Sequence, residues 1–551
     1  MLTYRIRPAT GIAFFVCIVL LTGCAKNASS VNPITDTIQE DSLITPDPAL
    51  ESAQQIQSIS PCILVDQNGY RTGALKTVLF KRDKADNTSI PTTFEIRRLS
   101  DDSTVFTGTI SWPRDMSLDS STNVSGSDSS KESITSDTKL QDSDEYVASG
   151  TFTDFQTDGE YYIYAEGMGE SCSFSIGNDV YNTLYESALR QYYLNRCGIA
   201  LTQEYAKDDA RGICHSDLAK LEDNSSVSLD ITGGWHLDFA ADRDVVTGCL
   251  IIDNLLLAYE MNPDVFANDY GIPESGDDVP DILDEVRYEI DWLLKMQDTK
   301  SGGVYASALT SAKEGENLSM ADVVVTDITA EATISFAATL AWFSYVYSDI
   351  DSDYCDKCLE AAISAFEAAK SMGAIGSFDA SFLASAQLYR MTGQKTYENG
   401  LTLYFKSSSF DSDFVSKDSI FMGGICYLRT NKPVNKEICS KIMEDLMNEA
   451  EKISVASKKS DYMISTDDYE NTGVILRNMR CLTVTNHIIY SQEYVEIIEN
   501  HAHYLLGRGP LGANLATDTT EYTYKDIDAG TGILYDPILD AELLILLSAI
   551  M

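Results

Sequence analysis

Positive charge is the first thing this chain is short of. Its 551 residues carry 40 lysines and arginines against 84 aspartates and glutamates, a formal net charge of −44. A field of that sign repels phosphate backbones and excludes nucleic acid as a partner. The plainer reading of that charge is the solvated surface of an exported protein. Histidine is scarcer still, with five in all. Twelve cysteines are spread too thinly to make the disulfide framework of a small secreted domain. Cys249, Cys426 and Cys481 fall in apolar helical patterns, where a thiol is buried as a small hydrophobe. Cys355-Asp-Lys-Cys358 has redox spacing but opens a helical stretch with no flanking strand pattern, and is read as incidental. The apolar run Ile12 to Leu21 is too short to span a bilayer.

That run follows Arg5 and Arg7 and ends in Leu21-Thr22-Gly23-Cys24. The pattern predicts a bacterial lipoprotein signal over 1–24, cleaved before Cys24, whose sulfur takes the lipid. The competing reading is an ordinary secretory signal with an incidental cysteine. A lipoprotein would sit exported at the outer face of the cell membrane, held by its lipid alone. Residues 25–60, rich in Ser, Asp, Pro, Thr and Gln, predict a flexible tether.

Hydrophobic content of 44% and aromatic content of 10% are those of a globular chain, and the length suggests two to four domains. Residues 61–178 alternate in strand fashion and predict a small β-sandwich, interrupted near 116–144 by a Ser/Asp-rich insertion expected to be disordered. From 181 to 551 the period changes to 3.6. Strands are expected nearly to vanish, and a dozen or so helices predict a toroid or barrel of helical hairpins.

Within that region Cys197, Cys214, His215 and His236 place two thiols and two imidazoles in one short stretch. Zinc favours those donors in tetrahedral geometry, and four protein ligands leave no open position for water. Such a metal would brace a loop without doing chemistry. The alternative is that these are ordinary buried Cys and His.

Several motifs, in order, resemble glycoside hydrolase family 9 with its N-terminal immunoglobulin-like domain. They are Ile63-Leu-Val-Asp-Gln-Asn-Gly-Tyr70, Arg196-Cys197-Gly198, Cys214-His215, Gly233-Gly234-Trp235-His236, Ile272-Pro-Glu-Ser-Gly276 through Pro280-Asp-Ile-Leu-Asp-Glu285, Met296-Gln297 and Tyr504-Leu-Leu-Gly-Arg508. The resemblance implies a mostly α fold, an (α/α)6 helical barrel preceded by an Ig-like sandwich, and a β-1,4-glucan such as cellulose as partner. It implies zinc on Cys197, Cys214, His215 and His236, with calcium possible but unmapped. A monomer is expected.

The resemblance also shows what has changed. Inverting hydrolysis needs a carboxylate base and a carboxylic acid roughly 6.5–9.5 Å apart. The family has Asp-Ala-Gly-Asp directly after Gly-Gly-Trp-His, whereas this chain reads Leu237-Asp238-Phe239-Ala240-Ala241-Asp242. Without a gap the two aspartate positions become Leu237 and Ala240. Asp238 and Asp242 could serve only on a rearranged backbone, since one residue of displacement turns a side chain by about 100° on a helix. Their plainer role is at a helix start, facing solvent or the helix dipole.

The family's acid precedes the last helix. Here ungapped counting gives Leu534, and a gap of two gives Asp536, which also reads as a turn residue before Pro537. Glu521 and Glu542 lie further off. The family's Pro-His-His-Arg sugar-contacting segment has no counterpart between Leu511 and Tyr524, which contain no histidine or arginine. These losses at one cleft predict a binding protein with weak or no hydrolysis. The alternative is an active inverting endoglucanase using relocated carboxylates.

Overall fold

The computed structural model describes residues 61–86, 88–113, 144–238, 240–312, 317–405, 415–469, 471–516 and 536–551. The signal, Cys24, the tether and nearly all of the 116–144 insertion lie outside the described residues, as do Leu534 and Glu521.

The described residues begin with two sheets. One runs β1 (Ile63–Leu64), β2 (Thr77–Asp83), β5 (Glu145–Thr151); the other runs β4 (Thr104–Thr109), β3 (Thr93–Arg98), β6 (Gly159–Ala165), β7 (Gly169–Glu170), with β8 (Phe174–Ile176) also on β6. Strand periodicity explains why β2 is buried on both faces. Val78 and Phe80 enter the sandwich core with Ile63, Phe94, Ile96, Ile163 and Phe174, while Leu79, one residue out of phase, joins Leu64 in the core of the helical region. Alternation of burial is clearest in β3 and β8 and weak in β4 and β5.

Twelve helices of eleven residues or more follow among the described residues. The odd ones are α1 (Asn182–Leu194), α3 (Asp281–Met296), α5 (Ser352–Ser371), α7 (Lys395–Phe405), α9 (Lys436–Lys459) and α11 (Gln492–Leu505). The even ones are α2 (Val245–Met261), α4 (Ala330–Val346), α6 (Ala380–Thr392), α8 (Asp418–Arg429), α10 (Thr472–Ile488) and α12 (Pro537–Ile550). Consecutive even helices pack side by side from α2 to α8, α10 packs on α12, and α12 returns to α2, which closes the inner ring of an (α/α)6 barrel. Inner helices are apolar around most of their circumference, as α4 shows with all thirteen residues from Ala332 to Ser344 buried. Outer α9 instead buries one stripe, Ile438, Ile442, Leu446, Ala450 and Ile453. No helix among the described residues is long and apolar enough to cross a membrane.

The joint between α8 and α10 is ionic. Arg480, fully buried on α10, pairs with Asp418 on α8, reaches Glu542 on α12 at 3.2 Å and Asn254 on α2 at 3.1 Å. Burial outweighs that guanidinium at Glu542 and lifts its carboxyl to about 7. Glu542 thus sits buried inside the ring, 4% exposed.

The sandwich is fastened to the barrel by two of the motifs read from sequence. Asp66 Oδ2 lies 2.8 Å from His503 Nδ1, whose Nε2 lies 3.1 Å from the Leu75 carbonyl. Gln67 N–H donates to the Leu506 carbonyl at 2.8 Å. Gly69, at φ +124°, must be glycine, because a Cβ there would lie 2.2 Å from the Ser175 carbonyl oxygen.

One expectation fails. Strands do not vanish after residue 181: β9 (Ala219–Leu221), β10 (Ser228–Leu229), β11 (Arg243–Asp244), β13 (Ser307–Ser311) and β14 (Asp322–Val325) form a five-stranded sheet in the order β10-β9-β14-β13-β11, and β12 (Val304–Tyr305) pairs with β15 (Ile328–Thr329). These strands are two to five residues long, too short for a periodic signal. They matter because they carry the loop after the metal-type residues.

Candidate functional site

Cys197, Cys214, His215 and His236 come together and all are buried. One donor atom from each lies within 4.8 Å of the others. Cys197 Sγ is 4.0 Å from Cys214 Sγ and 3.4 Å from His215 Nδ1, and Cys214 Sγ is 3.8 Å from His236 Nε2. A disulfide would need about 2.05 Å. A tetrahedron with bonds of about 2.3 Å to sulfur and 2.0 Å to nitrogen has edges of roughly 3.3–3.8 Å, so separations of 3.4, 3.8 and 4.0 Å lie close to those of a four-coordinate metal, within a group whose widest spacing is 4.8 Å at most.

The backbone fixes this arrangement. Cys197 N–H donates to the Gly234 carbonyl at 2.7 Å and His236 N–H to the Asn195 carbonyl at 2.9 Å. Gly234 sits at φ +76°, and a Cβ there would come within 2.7 Å of the Trp292 ring. His215 holds φ +43°, unusual for a residue with a side chain, with its N–H on the Ser319 carbonyl at 3.0 Å. Beneath, Glu285 binds Arg196 through 2.9 and 3.1 Å contacts and accepts from Trp235 Nε1 at 3.3 Å. Glu289 accepts the Trp235 N–H at 2.7 Å. Burial raises Glu285 to about 7 against the pull of Arg196, and Glu289 to about 8.

Immediately after His236 the chain does something different. Asp238 is exposed, and its Oδ1 accepts the N–H of Ala240 at 3.0 Å and of Asp242 at 2.9 Å, closing its own turn. Asp242 Oδ1 accepts the Thr310 N–H at 2.7 Å and so ties the loop to β13. The expected helix start is displaced: β11 intervenes, and the residue capping α2 is Asp244, whose Oδ1 accepts from Thr247 N–H at 2.9 Å. Asp536 caps α12, accepting from Ile538 and Leu539 N–H at 2.9 and 3.2 Å, with Pro537 in the first turn. Each candidate carboxylate therefore has backbone N–H groups as its partners.

Sequence reasoning missed Asp244, Glu289 and Arg211. Arg211 donates to Cys214 Sγ at 3.2 Å. Its position three residues before Cys214 was the available signal.

The profile of glycosyl hydrolase family 9 matches residues 181–527, and that of the cellulase N-terminal Ig-like domain matches residues 59–170. The chain belongs to glycosyl hydrolase family 9. Endoglucanase D of Acetivibrio thermocellus is 27% identical over 400 residues, a match that takes in 67% of this chain and 64% of that protein. The chain thus spans less than two thirds of that relative's length. A metagenome-derived family 9 endoglucanase superposes with a TM-score of 0.74 at 20% identity, covering 89% of this chain and 98% of the other. A Zn-binding triple mutant of the family 9 endoglucanase J30 superposes with a TM-score of 0.69 at 20% identity, covering 87% and 99%. At these identities the superpositions show the shared fold.

Proposed function

We propose that this protein binds β-1,4-glucan chains at the cleft of its family 9 barrel and hydrolyses them weakly or not at all. The observation that carries the reading is the employment of its carboxylates: Asp238 closes a turn, Asp242 anchors β13 and Asp536 caps α12. A base for water and an acid for the leaving oxygen need carboxyls directed at substrate across the cleft. The glucan comes from the family and from the endoglucanase relatives. Those relatives also favour a second reading, an inverting endoglucanase with relocated carboxylates.

The metal is proposed to be zinc, held by Cys197, Cys214, His215 and His236 and serving only to brace the segments they join. A zinc bound by four protein ligands polarises no substrate. Export with a lipid on Cys24, a tether over 25–60 and a monomeric state complete the proposal.

The test is the mature chain without its lipid, assayed on a panel of β-glucans for binding and for reducing-sugar release. Binding without release supports the proposal. Release abolished by Asp238→Asn or Asp242→Asn would establish the endoglucanase instead.

A further inference from the structure

The two sulfurs of the metal-type cluster do not have the same surroundings. Cys214 Sγ accepts two N–H groups from outside the four residues, from Arg211 Nη1 at 3.2 Å and from the Gly198 backbone at 3.4 Å. Among the described residues no such donor reaches Cys197 Sγ, whose contacts are His215 Nδ1 and the other sulfur. Arg211 is itself pinned: Nη2 donates to the Arg196 carbonyl at 2.6 Å, and its backbone exchanges two 3.0 Å hydrogen bonds with Leu201. One guanidinium thus spans from the Cys214 sulfur to the carbonyl that precedes Cys197. Gly198 cannot be replaced in this arrangement, since it holds φ +82° and a Cβ would sit 2.7 Å from Gly233 N.

We propose that Arg211 is a positioning residue of the metal centre: its planar fork sets the distance between the two sulfurs and draws charge from Cys214, so that Cys197 is the stronger donor of the pair. A guanidinium keeps its proton at any accessible pH and offers two parallel donors, so it holds the sulfur in place before a metal arrives as well as after. A metal site's supporting residues orient its ligands and commonly contribute 10–100-fold to affinity. The inference rests on the metal reading above.

Metal-stripped protein reloaded with cobalt(II) tests it, with zinc affinity read by competition against a chromophoric chelator. Arg211→Met is expected to weaken zinc binding about 10–100-fold and to move the thiolate-to-cobalt charge-transfer band to longer wavelength, because an unshielded sulfur gives up charge more easily. Arg211→Lys keeps the charge but cannot hold the Cys214 sulfur and the Arg196 carbonyl together, and should fall between. It serves as the readout should the methionine variant not fold. Affinity within twofold of the parent with an unmoved band, in either variant, overturns the proposal. No cobalt uptake by the parent protein removes the metal reading itself, whereas tetrahedral cobalt in the parent with indifferent variants removes only the role of Arg211.

Discussion

Residues 195–236 and residues 237–244 follow one another without a break, yet they use their polar side chains in opposite ways. In the first stretch Cys197 N–H pairs with the Gly234 carbonyl and His236 N–H with that of Asn195, and the four donor side chains group within 4.8 Å of one another, taking up the Gly198 N–H on Cys214 Sγ. In the second the carboxylates of Asp238, Asp242 and Asp244 take up the N–H groups of Ala240, Asp242, Thr310 and Thr247. A site held open for chemistry stores unsatisfied groups at a cost in stability, while a loop whose acids pair with its own backbone recovers that cost. The two stretches should therefore respond to mutation through different observables.

The largest expected effect lies in the metal stretch. Removing the metal with a strong chelator, or removing a ligand by Cys214→Ser, should cost several kcal/mol of stability, read as a fall of roughly 5 °C or more in Tm. Metal analysis should return about one zinc per chain in the parent. An unchanged Tm in Cys214→Ser would erase the contrast between the stretches.

Next comes a pH dependence seated under the metal stretch. Glu289 is raised to about 8, first by burial, while in the unfolded chain it titrates near 4.3. The folded state therefore holds a proton that the unfolded state releases. Stability from this group is fully present below about pH 4.3 and is lost as pH rises through about 8. Asp253, on inner helix α2 and hydrogen-bonded by Thr339, behaves alike, raised to about 8 by burial. Thermal melts from pH 6 to pH 9 should show Tm declining, and Glu289→Gln with Asp253→Asn should flatten that slope. A Tm that climbs across this window would contradict both assignments.

The sequence displayed one side of this contrast far better than the other. Long apolar helices such as α2 over Val245–Met261 stand out in the sequence, whereas α8, with Gly423 and Gly424 at its centre, and the short α7 do not. The Cys and His quartet was legible because two thiols and two imidazoles declare themselves by residue type, whatever the fold does between them. The fate of the carboxylates was only half legible: their displacement from the family pattern can be read by counting, but which N–H groups they meet depends on β11 and β13, strands too short to leave a period. Arg211 escaped notice because its one signal, a place three residues before Cys214, is a spacing and not a motif.

In the carboxylate stretch Asp242→Ala should act on stability. It leaves the Thr310 N–H without its 2.7 Å acceptor, a loss of about 1–2 kcal/mol, measurable by denaturant titration as a lower midpoint at constant slope. Glucan binding should persist. A variant that kept full stability and lost hydrolysis would place Asp242 in the chemistry.

The smallest expected effect separates the two roles open to Asp536. As a cap on α12 it satisfies the Ile538 and Leu539 N–H groups and lies favourably against the positive end of the helix. Asparagine and serine satisfy the same N–H groups, so Asp536→Asn should be nearly silent and Asp536→Ala should cost about 1 kcal/mol. A general acid obeys another order, because asparagine cannot donate a carboxyl proton and would be as damaging as alanine to turnover. Denaturant midpoints and reducing-sugar release for both variants therefore distinguish cap from acid. Equal loss of activity in the two, with stability untouched by asparagine, would make the N-terminus of α12 part of a working cleft and dissolve the contrast with the metal stretch.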